Sequence, residues 1–167
     1  TGREIVQKVN YGEIVIESAI SSVRKLTEET AKNTLLTSAL NSGNADELSN
    51  LMRQKFESND FLKTVAVINP QRTPVSVYPF LNESTPSALF KQSVAQVFDT
   101  KTTHISSGQD LTLANQHVIT ISSPISDDSG NITAVLVSAV DLDTLGNRLQ
   151  KIATGEKGEY FVVIDSH

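Results

Sequence analysis

The sequence predicts an α+β domain in which a long N-terminal helix packs on an antiparallel sheet. Residues 3–40 contain no proline and carry apolar side chains at helical spacing, which indicates the helix. Residues 116–140 contain two runs rich in β-branched residues, joined by a polar turn, which indicates a pair of strands. Consecutive strands joined by short turns, with the helices gathered on one side, are typical of antiparallel α+β domains.

The long helix is predicted over about residues 3–40. Part of its apolar stripe repeats every seven residues, at Val9, Ile16 and Val23. A helix so much longer than the average of about 11 residues must lie along a partner. That partner is either the sheet of its own domain or the same helix of a second subunit, which would make a homodimer. Asn and Gly at 41–44 end the helix, and a second one is predicted over 45–58.

The middle of the chain is predicted to hold a hairpin and a third helix. Residues 61–69 and 74–80 form two strands beside the second helix, because both are rich in β-branched and aromatic residues and turn residues separate them. Thr85 as N-cap and Pro86 at the first helical position begin the third helix. Residues 100–115 are polar, and we expect a loop with one short strand at 104–107.

The strongest strands follow at about 116–126 and 132–140, with the turn at 127–131 between them. Bulky residues on both faces of the second strand predict that it is central in the sheet. Asp141 or Asp143 then caps a fourth helix, in which Leu142, Leu145, Leu149 and Ile152 fall at helical spacing, and Gly155 ends it. A last strand is predicted at 159–166. We divide the chain into N-terminal helices (1–58), a sheet-containing module (59–155) and a final strand (156–167).

Composition excludes several classes of function. The net charge is −5, and the 14 Lys and Arg residues are spread over the 167-residue chain, which argues against nucleic acid as a partner. The chain has no Cys, so disulfides, thiolate nucleophiles and Cys-ligated metals are excluded. No apolar run is long enough to span a membrane.

Catalytic and metal sites are not predicted. His104, His117 and His167 are scattered, and none has a second ligand at i, i+4. Asp127 and Asp128 stand in a turn that favours Asp for backbone reasons. A Gly-x-Ser-x-Gly elbow and a Gly-rich phosphate loop are both missing from the sequence. We therefore expect a protein that is not an enzyme, without catalytic residues, a metal or a cofactor.

The order of elements is PAS-like, and the C-terminal half resembles the double Cache (PDC) sensor domains of histidine kinases and chemotaxis receptors. The matching features are the strand end Ser123-Pro124-Ile125, the Asp-rich turn, the aliphatic strand, the helix start Asp141-Leu142-Asp143-Thr144-Leu145 and the segment 155–160, GEKGEY. The long first helix and the hairpin fit as well. The resemblance implies the membrane-distal Cache module, with 156–167 as the possible start of a second one.

The resemblance also implies a function. Cache domains lie outside the cytoplasm between two membrane helices, bind a small molecule on one face of the sheet and pass a displacement across the membrane. We therefore expect an extracytoplasmic ligand-sensing domain of a cell-membrane receptor, with a sensor histidine kinase as the first choice of output. Membrane attachment would come from flanking helices absent from this sequence. The alternative is a ligand-free dimerisation or spacer module of a membrane or secreted protein.

Family members that recognise amino acids use an Arg, an aromatic residue and an Asp, because the cation pairs with the α-carboxylate and the Asp with the α-ammonium. The aligned positions here hold Ser87, Leu89 and Ala139. We therefore expect no amino-acid binding of that kind.

Four residues are candidate ligand contacts: Tyr78, Lys91, Thr120 and Ser122. One cation with several hydroxyls would suit a small anion or carboxylate. Each has an ordinary alternative, since Tyr78 also fits a core position, Lys91 a solvated helix face, and Thr120 and Ser122 the interior of a strand.

Overall fold

The computed structural model describes residues 2–79, 86–106, 112–113 and 116–147. For residues 2–15, 86–89, 112–113 and 116 it describes the backbone alone. Three predicted features lie outside these ranges: the N-cap at Thr85, the end at Gly155 of the helix that follows Asp141, and the strand at 159–166.

Three helices open the chain: α1 (Gly2–Ala31), α2 (Thr34–Ser42) and α3 (Ala45–Phe56). The prediction of one helix to residue 40 is wrong, because the helix is interrupted after Ala31. Asn33 is extended (φ −68°, ψ 127°), and its side chain accepts a hydrogen bond from the Leu35 backbone N–H at 2.9 Å. It thereby acts as the N-cap of a new helix, and α2 buries Leu36 and Ala39 in the core.

The predicted break at residues 41–44 is confirmed. Gly43 has φ +69°, a left-handed conformation that glycine adopts without strain, and its N–H bonds back to α2. Asn44 then caps α3 by accepting a hydrogen bond from the Glu47 N–H at 3.1 Å. Leu48, Met52 and Phe56 lie on the buried face of α3.

The rest of the described chain consists of six strands and two helical segments. They are β1 (Leu62–Ile68), β2 (Pro74–Tyr78), α4 (Pro86–Thr100), β3 (His104–Ile105), β4 (Thr112–Leu113), β5 (Gln116–Ser126), β6 (Ile132–Asp141) and a helical stretch at 142–147. The sheet order is β2-β1-β6-β5-β3, every pairing is antiparallel, and β4 pairs with β5. The PAS-like order and the central position of β6 are confirmed, whereas β4 lies in a segment predicted to be loop.

Asp127 organises the turn between β5 and β6. Its carboxylate accepts hydrogen bonds from the backbone N–H groups of Ser129 and Asn131, both at 2.9 Å. These hydrogen bonds lower the pKa of the Asp127 carboxyl below its usual value, and the bond from the Asn131 N–H has the largest effect. The next helical stretch is capped by Asp141, which accepts from the N–H of Thr144 at 3.0 Å. Asp143 instead accepts from the His117 N–H at 2.9 Å.

Helices cover both faces of the sheet, so the expectation that they gather on one side is wrong. One face packs on α1, α2 and α3, and its core consists of Ala31, Leu36, Ala39, Leu48, Met52, Phe56, Val65, Val67, Ile125, Ala134 and Leu136. The other face packs on α4, and its core consists of Ala66, Ile68, Phe90, Val94, Val97, Val118, Val135, Val137 and Ala139. We call these the α1 face and the α4 face. The two faces exist because side chains alternate along each strand.

Two details of the fold bear on function. Val23 is fully buried against Ile121 and Val140, so the described side-chain stripe of α1 packs on its own sheet. Dimerisation through α1 stays a prediction.

β2 is an edge strand of the described sheet; it begins at Pro74, and Pro79 follows it directly.

Candidate functional site

A chain of hydroxyl groups joins α4 to β5 on the α4 face. Thr120 Oγ1 donates to Ser106 Oγ at 2.8 Å, and the Thr120 backbone N–H donates to the same oxygen at 2.9 Å. Ser93 Oγ lies 2.9 Å from Thr120 Oγ1. The Thr120 hydroxyl has a single proton and donates it to Ser106. In the bond between Ser93 and Thr120, the Ser93 hydroxyl is therefore the donor.

Ser122 lies two residues further along β5 and therefore on the same face. Its side chain is fully buried, and Oγ has no hydrogen-bond partner among the described residues. A buried hydroxyl without a partner costs about 1–3 kcal/mol. We call Ser93, Ser106, Thr120 and Ser122 the hydroxyl cluster. Its unpaired member, Ser122, has a hydroxyl that could form a further hydrogen bond.

The opposite face of the same strands is hydrogen-bonded to α1. Thr27 Oγ1 donates to the Val23 carbonyl at 2.7 Å and lies 2.7 Å from Ser138 Oγ. Since the single Thr27 proton goes to Val23, Ser138 is the donor in the second bond. Thr27 and Ser138 are both fully buried. The neighbours of Ser138 in β6, Val137 and Ala139, belong to the α4-face core, so this strand contacts both sides.

No family model and no curated protein sequence matches the chain. Solved structures do match it. The ligand-binding domain of the Campylobacter jejuni chemoreceptor Tlp3, solved in complex with L-valine, superimposes with a TM-score of 0.71 at 16% identity over 89% of this chain and 63% of that one. The periplasmic domain of Vibrio cholerae LuxQ gives 0.62 at 14% identity, over 90% and 71%. The extracellular domain of the putative histidine kinase vpHK1S-Z8 gives 0.70 at 17% identity, over 88% and 59%.

The chain has the Cache-like (PDC-like) α+β fold. The resemblance noted in the sequence is thus confirmed at the level of the fold. The chain spans less than two thirds of the Tlp3 and vpHK1S-Z8 domains, at 63% and 59% of their lengths.

The structure brings together two of the four predicted contact residues of this Cache fold. Thr120 and Ser122 share the α4 face. Lys91 is exposed on α4. Tyr78 pairs with Val65 in the β1–β2 register and packs against the α1-face core, so it does not join Thr120 and Ser122.

Sequence reasoning missed Ser93 and Ser106. A signal existed for Ser93, because it lies between Phe90 and Val97 on the apolar stripe of α4, where a polar residue is out of place. Ser106 gave no comparable signal, since it follows a strand of only two residues in a polar segment.

Ala139, which the sequence comparison predicts at the position of the Asp in amino-acid-binding Cache domains, is fully buried in the α4-face core. A methyl group there offers no partner for an ammonium group.

Among the described residues, no group of three or more His, Cys, Asp and Glu is placed to hold a metal ion. Within the same ranges, no helix has the length and apolarity that crossing a membrane requires.

Two cavities open on the α1 face. A groove of about 800 Å³ runs between α2 and the end of β5, and apart from Ala31 its walls, which include Lys32, Thr37 and Asp128, are at least partly exposed. A smaller cavity of about 250 Å³ lies between the end of α3 and β2 and includes Tyr78.

Proposed function

We propose that this chain is the extracytoplasmic ligand-sensing domain of a transmembrane signal-transduction receptor, with a sensor histidine kinase as the output. The fold shared with the periplasmic domain of LuxQ and the chemoreceptor Tlp3 supports a sensing role. Membrane attachment through helices outside this sequence, and the kinase itself, belong to the proposal.

The observation that carries the proposal is the two-sided contact of the β5–β6 pair. On the α4 face, Thr120 and Ser122 carry buried hydroxyls, which are the proposed ligand contacts. On the α1 face, Ser138 donates a hydrogen bond to Thr27 of the long helix. A ligand that shifts these strands would therefore change a buried contact of α1, and α1 runs 30 residues from Gly2 to Ala31. Differential binding to the two arrangements would bias the helix position.

The ligand is a small molecule with at least one hydrogen-bonding atom for Ser122. A small anion or carboxylate remains the proposed class, with Lys91 at the periphery. Free amino acids are not expected to bind as they do in relatives with an Asp, because Ala139 supplies no charge. Calorimetric titration with L-valine tests this point, and micromolar binding would contradict it.

A thermal-shift screen of small carboxylates, inorganic anions and neutral metabolites is the experiment that tests the proposal. A ligand at a hundredfold excess over its Kd stabilises the folded state by about 2.7 kcal/mol. If no compound shifts the unfolding temperature, the ligand-free spacer or dimerisation module becomes the better interpretation.

Ser122→Ala locates the site once a stabilising compound is known. The substitution removes an unpaired buried hydroxyl, so we expect stability to stay equal or rise, while affinity falls about tenfold, as the loss of one hydrogen bond of about 1.4 kcal/mol requires. Ser123→Ala is the matched control, because Ser123 is also buried but accepts from Thr103 at 3.2 Å instead. Equal affinity of both variants would remove Ser122 from the site.

Spin labels test the transmission step. Because the chain has no Cys, labels at Ser22→Cys on α1 and Asn50→Cys on α3 are unique, and both positions are exposed. We expect the stabilising compound to change the distance distribution between the labels. This ligand-induced change in the label distances should be smaller in the Thr27→Val variant, because that variant lacks the bond to Ser138. A ligand that binds without altering the distances would refute the coupling.

A further inference from the structure

Two buried side-chain polar atoms have no hydrogen-bond partner in the part of the chain that the structure describes. They are Ser122 Oγ, in the hydroxyl cluster, and Nη1 of Arg72, in the turn between β1 and β2. Buried polar groups in folded proteins are almost always hydrogen-bonded, so each exception calls for an explanation. A ligand that contacts both atoms would explain both exceptions.

The backbone of the β1–β2 turn fixes the position of Arg72. Its φ of +67° lies in the left-handed region, which is uncommon for a residue other than glycine and persists where the surrounding structure enforces it. The Arg72 N–H donates to the Asn69 carbonyl at 3.0 Å, and the Thr73 N–H donates to Asn69 Oδ1 at 2.9 Å. The Asn69 N–H in turn donates to the Thr73 carbonyl at 3.0 Å. The turn therefore sets the direction in which the Arg72 side chain leaves the backbone.

The guanidinium group of Arg72 lies on the α4 face. Its central carbon is 4.5 Å from the centre of the Phe98 ring, and Phe98 packs against the α4-face core. Stacking on a ring orients the plane of the guanidinium group, but it gives the N–H groups no acceptor in that plane. Among the described residues, no carboxylate forms an ion pair with Arg72. Arg72 is thus a positioned cation on the α4 face without an anion.

The two unpaired atoms are connected through α4. Ser93 contacts Thr120 of the hydroxyl cluster, whereas Phe98 contacts Arg72. These two positions on α4 are five residues apart, which corresponds to about 7.5 Å along the helix axis at 1.5 Å per residue. A small elongated molecule on the α4 face has the length to contact both groups.

The two ends of this site differ in charge. Arg72 supplies a cation at one end, and its planar group can donate two parallel hydrogen bonds to a carboxylate. The hydroxyl cluster at the other end is uncharged. A second carboxylate buried beside hydroxyls alone, without a cation, would be unfavourable. The chemistry therefore selects one carboxylate and, at the far end, an uncharged hydrogen-bonding group.

We propose that Arg72 binds the carboxylate of the α4-face ligand, and that this ligand is an elongated, singly charged acid whose uncharged polar end contacts Ser122. The inference rests on the proposed function of this face and names the ligand class and its charge partner. Arg72 is the principal cation of the site, whereas Lys91, which is exposed on α4, lies at its periphery.

Calorimetric titration with 6-hydroxyhexanoate tests the ligand class. Hexanoate, which lacks the hydroxyl, and 1,6-hexanediol, which lacks the carboxylate, are the matched compounds. We expect 6-hydroxyhexanoate to bind with a stoichiometry of one and at least tenfold more tightly than either of them. Adipate, with a carboxylate at each end, should bind at least fivefold more weakly. A stoichiometry of two, or tighter binding of hexanediol or adipate, would overturn the proposal.

Variants locate the two ends of the ligand. Arg72→Gln should weaken binding of 6-hydroxyhexanoate and hexanoate about tenfold and leave hexanediol unchanged. Ser122→Ala should weaken 6-hydroxyhexanoate and hexanediol and leave hexanoate unchanged. Arg53→Gln is the control for charge, because this exposed residue of the last turn of α3 changes the net charge equally.

If Arg72→Gln and Arg53→Gln have the same effect on the binding of 6-hydroxyhexanoate, Arg72 is not a ligand contact and the inference is refuted. Arg72→Lys keeps the charge but loses the planar group, so its effect should be about threefold. This variant decides the matter if Arg72→Gln does not fold, since an affinity equal to that of the unmodified chain would then contradict the proposal.

The failure of this inference can be distinguished from the failure of the proposed function. A compound from the thermal-shift screen that loses affinity in Ser122→Ala but not in Arg72→Gln would refute the role of Arg72 and leave the sensing role of the α4 face intact. Absence of binding by 6-hydroxyhexanoate, hexanoate and hexanediol alike would also overturn the inference. The proposed function fails only if the whole screen, including its neutral metabolites, gives no shift.

Discussion

The buried bond between Thr27 and Ser138 should be measurable as a coupling free energy. Thr27→Val removes the acceptor of the Ser138 proton and leaves a fully buried hydroxyl without its partner. Such a loss costs about 1–3 kcal/mol. Val has nearly the same shape as Thr, so the loss of packing is small. Ser138→Ala costs less, about 1 kcal/mol, because Thr27 keeps its bond to the Val23 carbonyl.

Thr30→Val is the matched control. Thr30 is 3% exposed and makes the same bond to the carbonyl four residues earlier, Thr30 Oγ1 to Leu26 O at 2.7 Å, without a bond to the sheet. A hydroxyl bonded back to its own helix contributes little to stability. The excess cost of Thr27→Val over Thr30→Val therefore reports the contact with Ser138.

Urea unfolding followed by circular dichroism gives the free energies for the two single variants and the double variant. We expect the double variant to be about 1–2 kcal/mol more stable than the sum of the single effects predicts, because neither hydroxyl is then left unpaired. Thr30→Val combined with Ser138→Ala should be additive within about 0.5 kcal/mol. An additive Thr27 and Ser138 pair would refute the hydrogen bond as the link between α1 and β6.

Three further perturbations test the fold. Leu136→Ala should cost about 2–5 kcal/mol in urea unfolding, because this central side chain is fully buried, whereas Leu35→Ala, at a side chain 57% exposed, should cost well under 1 kcal/mol. Gly43→Ala should cost about 1–2 kcal/mol although nothing lies within 4 Å of the added Cβ, because the φ of +69° strains any L side chain; an unchanged unfolding midpoint would contradict this. The hydrogen-bonded carboxylate of Asp127 has a pKa below its usual 3.8, so its contribution to stability is complete above that value and is lost as the pH falls through the lowered folded pKa. Unfolding measured from neutral pH into the acid range should therefore show a flatter profile for Asp127→Asn but not for Asp128→Asn, which leaves those hydrogen bonds in place.

Strong local patterns made the sheet predictable. The central hairpin was predictable from the β-branched runs of β5 and β6 and from the turn at Asp127. The break before α3 was predictable from Gly43 and Asn44. Asn33 was missed because an N-cap without a neighbouring Gly or Pro looks like any polar residue within a helix. β4 has only two residues, too few for any alternation to be read.

The candidate site was half predictable for a related reason. Alternation within one strand places Thr120 and Ser122 together, and this can be read from sequence. Whether Tyr78 shares their face depends on its pairing with Val65 and on a register shift between Val67 and Ile68, which is a relation between strands. The face on which a helix packs is likewise set by tertiary contacts, so the sequence did not predict that α4 packs on the face opposite α1, α2 and α3.

The prolines beside β2 have a consequence for how molecules of this protein meet. An open sheet edge invites another chain to add a strand through its free N–H and C=O groups, and this is a common start of aggregation. Pro74 has no N–H to offer, and Pro79 removes another directly after the five-residue strand. Both prolines lower the number of N–H groups that this edge of the described sheet can donate, so addition of a strand at β2 is disfavoured.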